Sequence, residues 1–214
     1  MAEPAPPLAD QLPRPLLEAI SQHGGVRQFP AHAILINEGD RAETLYIVLS
    51  GRLRVYASSD NGREVVLAEH GPGEYFGELS LDGEPRSVSV KTLGPCSCCL
   101  VQGPQLRQFL AAHPDFAVHL TAKLIHMVRR LTEQVKSLAL QDVYGRIARV
   151  LGELSDAVGE ERVVRQKLTQ QDIAGRVGSS REMVNRVMKE LMNGGYVSQR
   201  DGRLVIHRKL PAAW

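Results

Sequence analysis

No stretch of this sequence approaches the ~18 consecutive apolar residues that a membrane-spanning helix needs, so a helical membrane protein is excluded. A secretory leader is equally missing: Met1-Ala2-Glu3-Pro4-Ala5-Pro6-Pro7 lacks a basic-then-apolar pattern and reads as a flexible lead-in. Cysteine is sparse, three residues in 214, and an odd count argues against a disulfide framework and for a reducing, cytoplasmic setting. There is no Walker loop, no metal-ligand spacing and no nucleophile–base pairing, so nothing points to an enzyme. Net charge is small, +2, yet unevenly placed. Residues 1–141 hold 13 basic and 15 acidic side chains, whereas residues 142–214 hold 13 basic and 9 acidic ones. A basic C-terminal part is a weak pointer to nucleic acid.

What is present begins with Phe76-Gly77-Glu78-Leu79-Ser80-Leu81-Asp82-Gly83-Glu84-Pro85-Arg86-Ser87-Val88. A carboxylate can accept from sugar hydroxyls and a guanidinium fork can hold a phosphate at two points. The backbone after Gly77 is placed to open a short helical turn whose positive end suits an anion. Together these residues are a kit for a small sugar phosphate.

Around that stretch, Pro15–Ile20 predicts a short helix stopped at Gly24-Gly25. From Val26 to Val101, short apolar runs alternate with turns: 33–36, 45–49, 53–56, 64–67, 88–91 and 98–101. Such spacing predicts an antiparallel β sandwich or barrel. Phe109 opens a helical regime. Ala117, Leu120, Leu124, Met127, Leu131 and Leu138, with Val135, predict an apolar seam on a helix over about 114–137, and a homodimer contact through residues 114–138. After Asp142 a helix with Val143, Ile147, Val150, Leu151 and Leu154 inward is expected to run to about Gly159. Thr169 with Asp172 starts another helix in a capping-box pattern, Gly178 turns, and Ser179 or Ser180 caps a helix from Arg181 to Met192. A hairpin about Arg200-Asp201-Gly202 completes a winged helix-turn-helix.

If Arg181 opens the second of those helices, then Arg181, Glu182, Asn185 and Arg186 lie where such helices meet base edges in a major groove. Thr169, Gln170, Ser179 and Ser180 flank them. Lys189, Arg200 and Arg203 are candidate phosphate contacts. Cys96, Cys98 and Cys99 fall in an expected strand and read as small core residues, and the histidines, including His119 and His126, as surface or interface residues.

These motifs, in this order, resemble the cyclic-AMP-receptor/fumarate-nitrate-regulator superfamily of bacterial transcription regulators along nearly the whole chain. The resemblance implies an α+β protein, not an enzyme, with four parts: a lead-in and short helix (1–25), a cyclic-nucleotide-binding β-roll (26–113), a dimerisation helix and hinge (114–141) and a winged helix-turn-helix (142–214). It implies that Glu78 binds the ribose 2′-hydroxyl, that Arg86 and Ser87 bind the cyclic phosphate, that Gly77 and Leu79 shape the loop, and that Phe76, Ser80 and Val88 belong to the same ligand-binding cassette. Ser180-Arg181-Glu182 with Arg186 is similar to the recognition helix of the family's cyclic-AMP-receptor branch, implying a TGTGA-like palindromic site and RNA polymerase as a partner. Leu138–Arg146 resembles the hinge. Two departures stand out. The Glu78–Arg86 interval is two residues shorter than in that branch, and its adenine-contacting Thr-Ser pair falls here on Leu131 and Thr132, beside Met127. Cyclic AMP is the leading effector implied, with cyclic GMP or a non-nucleotide effector open. The alternative keeps the fold as a redox or gas sensor through Cys96, Cys98, Cys99 or a histidine-bound metal.

Overall fold

The computed structural model describes residues 11–60, 62 and 64–210, with the side chain of Ser80 outside that set. The expected lead-in and Asn61 of the expected turn lie outside the described residues. By internal contact the chain divides into two compact units, 1–57 with 66–130, and 58–65 with 131–214.

In the first, helix α1 (Arg14–Ser21) precedes strands β1 (Gly25–Phe29), β2 (Ile34–Ile36), β3 (Thr44–Ser50), β4 (Leu53–Ser58), β5 (Glu64–His70), β6 (Tyr75–Phe76), β7 (Ser89–Thr92) and β8 (Cys96–Gln102), with a 3₁₀ turn over Glu78–Asp82. Helices α2 (Gly103–Ala112) and α3 (Pro114–Leu140) follow, α3 running on into the second unit. The strands form two four-stranded sheets, β1-β8-β3-β6 and β2-β7-β4-β5. Side chains on β3 and β8 alternate as the pleat demands. Val48, Cys96 and Cys98 meet Ile36, Leu53, Val55 and Val90 of the other sheet, with Phe76 among them. Leu45, Ile47, Cys99 and Val101 face the opposite way, onto Ile20, Leu106, Phe109 and Phe116 of the helices. The expected strands are present. The expectation that only Phe109 opens the helical part needs correction: helix starts at Gly103, where Pro104 in the first turn suits an N-terminus.

The expected seam of α3 also shifts. Ala117, Leu120, Leu124 and Met127 are half-buried, and Leu120 packs onto the first unit's core with Phe116. The exposed apolar stripe is Val118, Ile125, Val128 and Val135, at sevens and threes, with Leu131 and Leu138 also exposed. This helix is apolar on two faces, one for its own core and one outward.

The second unit holds α4 (Val143–Glu153), β9 (Ser155–Val158), β10 (Glu161–Val164), α5 (Gln170–Val177), α6 (Arg181–Asn193), β11 (Val197–Arg200) and β12 (Arg203–Ile206). Helix α4 stops at Glu153 rather than near Gly159. Gly159, at φ +63°, makes the turn of a β9–β10 hairpin, and β10 pairs with β12 so that one sheet runs β11-β12-β10-β9. The core joins Ile147 and Leu151 of α4, Ile173 and Val177 of α5, Val184, Val187, Met188 and Leu191 of α6, and Val197, Leu204 and Ile206 of the sheet.

Candidate effector and nucleic-acid sites

The first site grows from a glycine. Gly77 has φ +92°, and a Cβ there would stand 2.6 Å from the Thr44 carbonyl oxygen and 2.8 Å from an Arg86 nitrogen. Only glycine lets the strand end turn this closely. Beyond it the chain enters the 3₁₀ turn with Glu78 first, as the short helical turn expected there. Arg86 returns to the same point and is 7% exposed. One terminal nitrogen donates to the Gly77 carbonyl at 2.9 Å and the other to the Thr44 carbonyl at 2.7 Å. Its Nε is buried with no hydrogen-bond partner.

Two backbone carbonyls therefore aim a guanidinium whose Nε has no hydrogen-bond partner among the described residues. Burial lowers the Arg86 pKa from its ordinary value, and the Tyr46 phenol and the Glu78 and Asp40 carboxylates only partly offset that. A buried cation short of counter-charge is what an anion completes.

Glu78 is buried as well, and its partner is a residue that sequence reasoning missed. Lys123, on α3, is 1% exposed, with Nζ 3.0 Å from Glu78 Oε1. The same ammonium donates to the Tyr75 carbonyl and lies 3.7 Å from the Tyr75 ring centroid. A signal existed: Leu120, Lys123, Leu124 and Met127 share one helical face, so the lysine interrupts an inward apolar stripe. Likewise His119, expected at the surface or an interface, bridges the Tyr75 hydroxyl (3.1 Å at Nδ1) and the Gln11 carbonyl (2.9 Å at Nε2). His70, expected among scattered surface histidines, is buried, 2.8 Å from Glu74 and stacked on Phe76.

The other expected ligand residues divide. Phe76 is core, between the Tyr46 and His70 rings at 5.0 and 5.6 Å. Val88 packs beside that core, while Leu79 and Ser87 are exposed at the loop surface. Met127 is half-buried; Leu131 and Thr132 belong to the second unit and are exposed. The cysteines are buried, and Cys98 and Cys99 point to opposite faces of their sheet. Burial pushes the Cys98 thiol up to about 12, and raises Cys99 too. Among the described residues no group of three or more His, Cys, Asp or Glu is placed to hold a metal.

The second site is α5–α6. Thr169 and Asp172 complete the capping box, Gly178 ends α5 at φ +61°, and it is Ser180 whose hydroxyl caps α6 by accepting from Met183 N. With Val184, Val187, Met188 and Leu191 inward, Arg181, Glu182, Arg186 and Lys189 are left exposed. Hydrogen bonds from its own backbone N–H and from Ser180 hold the Glu182 carboxyl below its usual range. Gln170 donates to Asn185 Oδ1 at 3.1 Å, fastening the two helices, and Ser179 is half-buried at the turn. Arg200 is less available than expected. It pairs with Glu161 at 3.1 and 3.3 Å, and His207 Nδ1 sits 2.9 Å from the same carboxylate. Arg203 is exposed.

Comparison with known proteins bears on both sites. Residues 26–113 match the family described as Cyclic nucleotide-binding domain, and residues 145–210 match Crp-like helix-turn-helix domain. The chain is 32% identical to the cAMP-activated global transcriptional regulator CRP of Pasteurella multocida over 198 residues, 90% of this chain and 95% of that one. It is 34% identical to its counterpart in Haemophilus influenzae, covering 90% and 88%. Among solved structures, the c-di-GMP responsive global regulator CLP of Xanthomonas campestris superposes with a TM-score of 0.82 at 29% identity, covering 91% of this chain and 99% of that one.

Proposed function

Because the chain belongs to the Crp/Fnr superfamily of transcription regulators, with a cyclic-nucleotide-binding domain and a Crp-like helix-turn-helix, we propose that it is a dimeric regulator whose DNA binding is controlled by a cyclic mononucleotide, cyclic AMP first. The observation that carries this reading is Arg86: a buried guanidinium, aimed by two backbone carbonyls, with an unpartnered Nε. Arg86 takes the cyclic phosphate with Ser87, and Glu78 takes the ribose 2′-hydroxyl. Met127, Leu131 and Thr132 are the positions that the family resemblance assigns to the base, and a single hydroxyl among them leaves cyclic GMP as a competitor. A cyclic dinucleotide, the kind of effector to which the Xanthomonas relative responds, brings two phosphodiesters. Here the second buried cation, Lys123, already faces Glu78, which favours one phosphate over two.

The exposed stripe Val118, Ile125, Val128 and Val135 is the dimer seam in this reading, in place of the inward positions 117, 120, 124 and 127. Two α6 helices about 34 Å apart then enter successive major grooves of a TGTGA-like palindrome. Arg181, Glu182, Asn185 and Arg186 read bases. Thr169, Gln170, Ser179, Ser180 and Lys189 position the backbone, and Arg200 joins them by exchanging Glu161 for a phosphate. RNA polymerase is the partner through which DNA binding acts, in the cytoplasm; no helix among the described residues is long and apolar enough to cross a membrane. A ligand shifts DNA binding only by contacting two arrangements of the protein differently.

The test is titration calorimetry with cyclic AMP, cyclic GMP and cyclic di-GMP, then a mobility shift on the palindrome. Arg86→Ala should bind no cyclic nucleotide and shift DNA only at the ligand-free level. Normal binding by that variant would sink the reading.

A further inference from the structure

One contact in the first unit is unexplained by phosphate recognition. Lys123 and Glu78 are both almost wholly buried, and they face each other across 3.0 Å. Burying an ion pair gains little stability over well-packed apolar side chains, so the pair calls for another reason. The ammonium is fully engaged: the Glu78 carboxylate, the Tyr75 carbonyl and the Tyr75 ring surround it. One helical turn back on the same face, His119 links the Tyr75 hydroxyl to the Gln11 carbonyl. His119 Nε2 donates to that carbonyl, and Nδ1 shares the hydrogen bond with the phenol. Two successive turns of α3 thus fasten β6, the strand that leads into the Gly77 turn.

The carboxylate has about four acceptor positions, and Lys123 engages one oxygen. A hydroxyl donor can use the rest, provided the group is held in place.

We propose that Lys123 is a positioning residue for sugar recognition: from α3 it holds the Glu78 carboxylate in place, so that Glu78 can tell a ribose 2′-hydroxyl from its absence. This rests on the cyclic-nucleotide reading above.

The experiment compares cyclic AMP with 2′-deoxy cyclic AMP by calorimetry, in the wild type, Lys123→Met and Lys123→Gln. A charge-assisted hydrogen bond corresponds to roughly tenfold or greater preference for the ribose form in the wild type. In both variants that preference should fall to within about threefold, while phosphate binding through Arg86 persists. The preference is a ratio within each protein, so a general loss of stability does not imitate it. Should both variants fail to fold, ¹³C-lysine NMR of the wild type replaces them. The ε-carbon signal of the buried lysine should move on adding cyclic AMP and stay put with the 2′-deoxy analogue. An unchanged preference in the variants, equal binding of the two ligands by the wild type, or equal NMR shifts overturns the role of Lys123 and leaves the cyclic-nucleotide reading standing. A wild type that binds neither ligand removes both.

Discussion

Replacing Gly77 by alanine tests the effector site most sharply, because Gly83 supplies a matched control six residues on. Both have positive φ, +92° and +82°, so both substitutions force an L residue into a conformation that costs about 1–2 kcal/mol. Only one of them also collides. A Cβ on Gly83 meets nothing within 4 Å, whereas a Cβ on Gly77 meets the Thr44 carbonyl at 2.6 Å and Arg86 at 2.8 Å. Neither neighbour can yield freely, since Arg86 is hydrogen-bonded to that carbonyl and to Gly77's own. Relief requires breaking one of these charged hydrogen bonds, worth about 1.5–3 kcal/mol. Gly83→Ala should therefore lose about 1–2 kcal/mol and Gly77→Ala about 2.5–5 kcal/mol. Urea unfolding followed by the β-sheet circular dichroism signal reads the gap as a midpoint about 1 M lower for Gly77→Ala. Calorimetry should show cyclic AMP binding kept in Gly83→Ala and weakened at least tenfold in Gly77→Ala, about 1.4 kcal/mol. Equal destabilisation of the two variants would refute the claim that close approach, rather than backbone angle, makes Gly77 necessary.

Other expectations are independent of that one. Ile125→Glu, on the exposed stripe, should give a folded monomer in sedimentation velocity; Leu120→Glu, on the inward face, should instead lower the melting temperature. Thr169→Ala removes the hydroxyl half of the capping box, leaving the backbone N–H of residue 169 on Asp172, and should cost about 1 kcal/mol, read from chemical unfolding. Cys98 ionises near its ordinary value of 9.0 when unfolded but only at about 12 when folded. The stability this thiol contributes is complete below the lower value and lost as pH rises toward the upper one. The wild type should therefore lose stability faster than Cys98→Ala above about pH 9.5, by roughly 1.4 kcal/mol per pH unit.

Local signals carried much of this molecule. The Thr169–Asp172 capping box, the Gly178 turn and the inward face of α6 are readable because their partners lie within a few residues. The 3₁₀ turn after Gly77 is equally local. Features that depend on distant partners were not readable. Ser155–Val158 continues an amphipathic helix by pattern, yet it becomes a strand because β10 pairs with it and with β12. Helix α3 is apolar on two faces, so periodicity finds the helix and leaves its phase open. Lys123 and His119 look like ordinary polar residues of a long helix until Glu78 and Tyr75, more than forty residues away, are folded against them. Arg86 and Glu78 were recognisable as chemistry, but the carbonyls that aim the one and the lysine that holds the other are products of the tertiary fold.

The Gln170–Asn185 hydrogen bond bears on what α6 can say to a base pair. Asn185 accepts a hydrogen bond from the Gln170 amide on Oδ1, which fixes the direction of the side chain and leaves its NH₂ and one oxygen lone pair for another partner. If α6 enters a major groove as proposed, the oriented NH₂ is the donor that Asn185 offers to a base-edge acceptor such as the N7 of a purine. A bond whose evident role is to brace two helices therefore also sets the direction in which this amide faces outward.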